Sequence, residues 1–132
     1  MSAVPPRLLL DAGALVHAES HPRGKVTIEC NKAVLSGHEP LLPMVVWAQV
    51  WRASPRQHAL ARIRRGCEQL PFDDRVADAV GRLLAHSGTS DVVDAAVVVA
   101  AIEHNAAVLT SDPQDLEKLA DALGYRLPIV TV

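Results

Sequence analysis

Four carboxylates carry the chemistry that this sequence offers. Asp91 and Asp94 stand at the head of the apolar run Val92 to Ile102, Asp11 follows Arg7-Leu8-Leu9-Leu10, and Asp112 follows Ala107-Val108-Leu109-Thr110. Acids gathered in one crevice repel one another, and a divalent ion relieves that repulsion. Oxygen-only ligation without histidine or cysteine points to Mg²⁺ or Mn²⁺ over zinc. One such ion, or two about 4 Å apart, activates a water and stabilises the charge that develops on a phosphodiester during in-line displacement. Each acid also has a plain structural reading: Asp112 as a helix cap, Asp91 as a complement to a helix dipole, Asp11 as a turn residue. Asp94 resists that reading, because an unpartnered carboxylate inside an apolar helix is costly to bury.

The elements that must position these acids follow from periodicity and punctuation. Val92 to Ile102 is valine-rich, but its length favours a buried helix over a strand. Thr89 or Ser90 is the expected N-cap, and Asn105 the left-handed residue that ends it. Asp91 and Asp94, three apart, share one face of its first turn. Ala107 to Thr110 reads as a buried strand, and Pro113 as the first residue of a helix running to Leu123. Arg7 to Leu10 reads as a strand ending at Asp11, with a helix from Ala12. Further helices are expected over Pro22 to Leu35, Val45 to Ala53, Ala59 to Arg65 and Asp73 to His86. Strands are expected at Leu41 to Pro43, at an edge over Cys67 to Phe72, and at Pro128 to Val132. Alternating strands and helices imply a parallel sheet covered on both faces, with ligands beyond the carboxyl ends of its strands. Asp11 and Asp112 mark two such ends.

The rest of the composition bounds the problem. With 132 residues the chain fits one domain, and 49% hydrophobic content argues against disorder. A formal charge of −2 supplies no global attraction to nucleic acid or membrane. Aromatic residues at 3% remove the stacking platforms of many single-stranded nucleic-acid binders. Cys30 and Cys67 lack metal-site spacing and are expected as buried free thiols. The N-terminal apolar patch is broken by Asp11, so neither a signal peptide nor a membrane span is expected, and the reading is cytoplasmic. The six histidines are assigned solvated or core roles. The segment from Arg52 to Arg65 holds five arginines and forms a basic rim. It is most simply a solvated face, with Arg52 and Arg56 the candidates for RNA phosphate contacts. Gly-rich phosphate loops, a GxSxG elbow and a DxDxT-like acid pair are absent.

The segments LLLDAGAL (8 to 15), VVWAQVWR (45 to 52), TSDVVDAAVVVAA (89 to 101) and AVLTSDPQDL (107 to 116) together resemble PIN-domain proteins, in particular ribonuclease toxins of the VapC type from toxin–antitoxin pairs. The resemblance implies one three-layer α/β/α domain over residues 1 to 132, with a mostly parallel central sheet. It implies Mg²⁺- or Mn²⁺-dependent hydrolysis of single-stranded RNA, a cognate antitoxin partner and homodimerisation, to which exposed apolar positions of the Val45 to Ala53 helix would contribute. Asp11 matches the first acid of the family pattern, Asp94 the acid of its Asp-Ala helix, Asp112 the acid of its T-x-D turn and Thr110 the hydroxyl of that turn. Asp91 and Asp115 are accessory acids, Asp91 being a further candidate ligand. The family's second acid is usually a glutamate on the helix after the second strand, and Gln49 takes that place here. The substitution removes one negative charge and lowers the expected metal affinity. Asp91 is then the candidate to compensate; the alternative is a weak or inactive PIN module that binds RNA or a protein partner.

Overall fold

β1 (Arg7–Leu10) and β4 (Ala106–Thr110) pair in parallel at the middle of the sheet, in the register Leu8↔Ala107, Leu9↔Val108 and Leu10↔Leu109. The computed structural model describes residues 6–132. Leu8 to Leu10 and all of β4 are buried, as expected for strands covered on both faces. β2 (Leu41–Pro43) and β3 (Glu68–Leu70) extend the sheet on one side of β1, and β5 (Ile129–Thr131) on the far side of β4. The order is β3-β2-β1-β4-β5, and every pairing is parallel.

The chain steps outward from β1 to β3, crosses back over the sheet to β4 and continues to β5. Right-handed crossovers in opposite directions place helices on opposite faces. One layer is α1 (Ala12–Ser20), α2 (Lys25–Leu35) and α4 (His58–Arg65); the other is α5 (Asp74–Ser87), α6 (Val92–His104) and α7 (Pro113–Ala122). α1 packs against α2 and α4, and α6 against α5 and α7. The short α3 (Met44–Val50) touches both layers through α1 and α6. The result is the expected three-layer α/β/α architecture.

α6 is the buried helix that its length predicts. Ala95 to Val99 and Ala101 are all buried, and the helix lies on β1, β2 and β4. Asn105 ends it in the left-handed region at φ 50, which turns the chain directly into β4. Its N-cap, however, is neither Thr89 nor Ser90. Asp91 takes that position, and its Oδ1 accepts from the Asp94 N–H at 2.9 Å. A carboxylate also complements the helix dipole, so it outcompetes the neighbouring hydroxyls.

Other boundaries move for identifiable reasons. α3 stops at Val50, three residues before the expected end at Ala53. The buried Gln57 side chain accepts from the Arg52 N–H at 2.9 Å and donates to the Val50 carbonyl at 3.0 Å, satisfying groups that would otherwise continue the helix. Ala53 itself is left-handed, at φ 54. β3 is shorter than Cys67 to Phe72, since Pro71 cannot donate to a ladder. α2 starts at Lys25 because Pro22 to Gly24 form a turn. The exposed apolar face expected along α3 is not there: Val46 and Trp47 are buried, Val45, Val50 and Trp51 pack on the core, and Ala48 is its only exposed apolar residue.

Trp47 and Trp51 stack at 4.8 Å, with the Arg64 guanidinium 4.9 Å above Trp47. His17 and His21 stand four apart and stack at 4.5 Å, a pairing that the assignment of the histidines to separate solvated or core roles passes over. Cys30 and Cys67 are buried free thiols, as expected. Among the described residues no single helix is long and apolar enough to cross a membrane.

Candidate metal centre

The order of the strands reverses between β1 and β4, so a crevice opens at their carboxyl ends. Asp11 follows β1 directly and forms the N-cap of α1. Its Oδ1 accepts from the Ala12 N–H at 2.7 Å, and its Oδ2 accepts from the Thr110 hydroxyl at 2.7 Å. The Asp11 N–H in turn donates to the Leu109 carbonyl at 3.1 Å. Only 6% of Asp11 is exposed, and such a carboxylate is tolerated because charge-assisted hydrogen bonds replace its water. Thr110 is wholly buried, and its hydroxyl oxygen also accepts from the Asp112 N–H at 3.0 Å. One hydroxyl therefore ties the turn after β4 to the carboxylate after β1.

Asp94 approaches from the first turn of α6. Its carboxyl is pushed up from 3.8 to about 6, first by burial and then by the negative charges of Asp91, Asp11, Asp115 and Asp112. The other four acids thus all lie within electrostatic reach of Asp94. Asp112, exposed at the head of α7, is also raised, chiefly by the charge of Asp115, with burial, a hydrogen bond shared with Asp115 and the charge of Asp11 adding to it. It occupies the N-cap position, but its side chain accepts no backbone cap bond from the helix. None of the ion pairs among the described residues involves these acids: they are Arg7–Glu68, Lys32–Glu29 and Arg75–Glu103. Like charges are concentrated here without a basic side chain to offset them.

Such a donor set suits a hard divalent cation, being all oxygen and devoid of sulfur or imidazole. Among the described residues, no three acidic, histidine or cysteine side chains close into a finished cage, and the carboxylates stand apart. A hollow of about 60 Å³ lies elsewhere, between α3, β3, α5 and α6, lined by Met44, Phe72, Val76 and Ala100 with Arg75 and Glu103. It is too small for more than a few waters, and none of the five acids lines it.

Gln49 is exposed on α3, the helix that touches both the Asp11-bearing α1 and the Asp94-bearing α6. Asp115 sits in the first turn of α7. Arg52 and Arg56 are exposed, but Arg52 is already bound to the end of α3, donating to the Ala48 and Trp51 carbonyls at 3.0 and 2.7 Å. Gln57 was not singled out in the sequence. Nothing distinguished it from other polar residues of the basic segment, yet it fixes where α3 ends.

The sequence matches the PIN domain family over residues 8–122. Among solved structures, the fold is similar to VapBC2 from Rickettsia felis bound to a DNA fragment from their promoter, with a TM-score of 0.70 at 15% identity over 95% of this chain and 98% of that one. DNA-bound VapBC from Salmonella typhimurium gives 0.66 at 16% identity over 94% and 98% of the two chains. FitAcB from Neisseria gonorrhoeae gives 0.65 at 15% identity over 94% and 96%. At these identities the likeness is one of fold. No curated protein sequence matches. The family match spans most of the chain and includes all five acids, and the chain belongs to the PIN domain family.

Proposed function

We propose that this protein is a Mg²⁺- or Mn²⁺-dependent endoribonuclease that cleaves single-stranded RNA and serves as the toxin of a toxin–antitoxin pair. The observation that carries this reading is the placement of Asp11 and Asp112 just after the two central strands and of Asp94 in the first turn of α6, near enough for the charges of the other two to raise Asp94, with no basic side chain among the described residues paired to them. PIN domains are in general nucleases, and the structural neighbours named VapBC and FitAcB support the toxin–antitoxin setting.

In this reading Asp11, Asp94 and Asp112 hold the ion, with Asp91 and Asp115 adding negative potential. The bound ion supplies a water of lowered pKa and a positive charge for the phosphodiester oxygens. Asp11, fixed by two hydrogen bonds, is the rigid member of the set. Without an ion, burial and the neighbouring carboxylates push Asp94 up to about 6; a divalent ion at the site would offset those charges and favour its ionised, metal-holding form. Thr110 orients Asp11. Arg52 and Arg56 are the candidate RNA phosphate contacts at the rim. The same reading carries an antitoxin protein as partner, a homodimer, a single domain and a cytoplasmic, reducing location for the two free thiols.

Asp94→Ala should abolish Mg²⁺- or Mn²⁺-dependent cleavage of single-stranded RNA; undiminished cleavage would overturn the assignment. Gln49 favours a second reading, a catalytically weak or inactive PIN module that binds RNA or a protein partner, because a neutral amide replaces the family's usual glutamate. Calorimetric titration with Mn²⁺ separates the two readings, since the second predicts no binding in the millimolar range.

A further inference from the structure

Gly13 lies in the first turn of α1, two residues after Asp11, where alanine would be the better helix former. Its φ is not in the left-handed region, so backbone conformation does not call for glycine. The requirement is one of space. A Cβ built at this position would overlap the Ser111 hydroxyl oxygen and come within 3.0 Å of the Ser111 backbone nitrogen and 3.1 Å of its Cβ. Ser111 is the middle residue of the turn Thr110-Ser111-Asp112. The start of α1 and the turn after β4 are therefore seated directly on each other.

Two hydrogen bonds draw these two segments together beside that contact, Asp11 N–H to the Leu109 carbonyl and Thr110 hydroxyl to Asp11, while Asp112 N–H to the Thr110 hydroxyl oxygen braces the turn itself. They set how the segments align; the Gly13–Ser111 contact sets how near they come. Rotating the serine hydroxyl away would relieve the worst overlap but leave the Ser111 nitrogen and Cβ at 3.0 and 3.1 Å, so the turn must still give by a few tenths of an ångström. A side chain at 13 must push the 111–112 backbone away from Asp11.

We propose that Gly13 is a positioning residue, whose missing side chain fixes the separation of the Asp11 and Asp112 carboxylates and thereby the site's affinity for a divalent ion. The inference rests on the metal-binding reading given above. Ligand geometry tolerates displacements of only about 0.5 Å, and residues that orient metal ligands typically change affinity by about 10- to 100-fold.

The test is Mn²⁺ titration by calorimetry, alongside thermal melts, on the full chain and its variants. Gly13→Ala should bind Mn²⁺ at least about tenfold more weakly while melting as a cooperative, folded protein. The double variant Gly13→Ala/Ser111→Gly removes the Oγ overlap and the Cβ contact and leaves only the 3.0 Å contact with the main-chain nitrogen, which a glycine turn relieves with a small shift, so it should recover most of the lost affinity. Ser111→Val, which crowds Gly13 from the opposite side, should reproduce the loss and stands in if Gly13→Ala does not fold. Wild-type affinity in Gly13→Ala, no recovery in the double variant, or failure of both crowding variants to fold would each overturn the role. A parent chain that binds no Mn²⁺ would overturn the metal-binding reading and this inference together. Loss of the inference alone would show as a parent and variants that bind equally well.

Discussion

The Thr110 hydroxyl donates to Asp11 Oδ2 at 2.7 Å, joining the two central strands by a buried bond between residues 99 apart in sequence. Thr110→Val keeps the shape and removes the donor, leaving a nearly buried carboxylate short of one partner. Urea denaturation should register a loss of about 1–3 kcal/mol, the cost of an unsatisfied buried group. RNA cleavage should fall with it, since Asp11 loses its fixed orientation.

Asp94 makes folding stability depend on pH with a definite sign. Its folded value of about 6 lies above the unfolded 3.8, so the folded state holds the proton more tightly. Stability from this group is complete below 3.8, declines as pH rises towards 6 and stays low above it. Half exposure screens the effect, leaving about 1 kcal/mol. Urea midpoints of the parent, measured without divalent ions, should fall across that window relative to those of Asp94→Asn. A constant difference between the two would exclude this coupling. Added Mg²⁺ should restore the parent above the window, because an ion that binds only the folded state stabilises it.

Gln49→Glu returns a negative charge to the helix that touches both α1 and α6. If Gln49 belongs to the site, Mn²⁺ should bind roughly tenfold more tightly, equivalent to about 1.4 kcal/mol. Unchanged affinity in a calorimetric titration would remove Gln49 from the ligand set.

Burial pushes the thiols of Cys30 and Cys67 up to about 12, with nearby charge adding to it. Few thiolates are then present at neutral pH. A colorimetric thiol reagent should label both cysteines at the rate of unfolding and rapidly in denaturant. Fast labelling of the native protein would contradict the buried placement.

Much of this arrangement is legible in the sequence because acids interrupt apolar runs. Leu8-Leu9-Leu10 breaks at Asp11, and the β4 run at Ser111-Asp112, so the ends of both central strands announce themselves. Asn105 likewise marks the end of α6. Local punctuation fails where a distant side chain decides the outcome. α3 ends because Gln57 reaches back to Val50 and Arg52, and Asp91 becomes a cap at a position where two hydroxyl residues were also available. The role of Thr110 as a link and the seating of Gly13 on Ser111 depend on strand pairing across the chain. Periodicity has no access to either.

The pairing of β1 with β4 also governs when the protein becomes chemically competent. The partners Arg7 to Leu10 and Ala106 to Leu109 are separated in sequence by β2, β3 and six α-helices, so the central contact is among the most non-local in the molecule. Such contacts form late, after loop closure over the intervening chain. During translation, a nascent chain that has reached β2, β3 or even α6 carries Asp11 without Asp112 and lacks the strand that would place them side by side. On the proposed reading, a chain built this way would be inert while it is being made, and a truncated product ending before Ala106 would remain so.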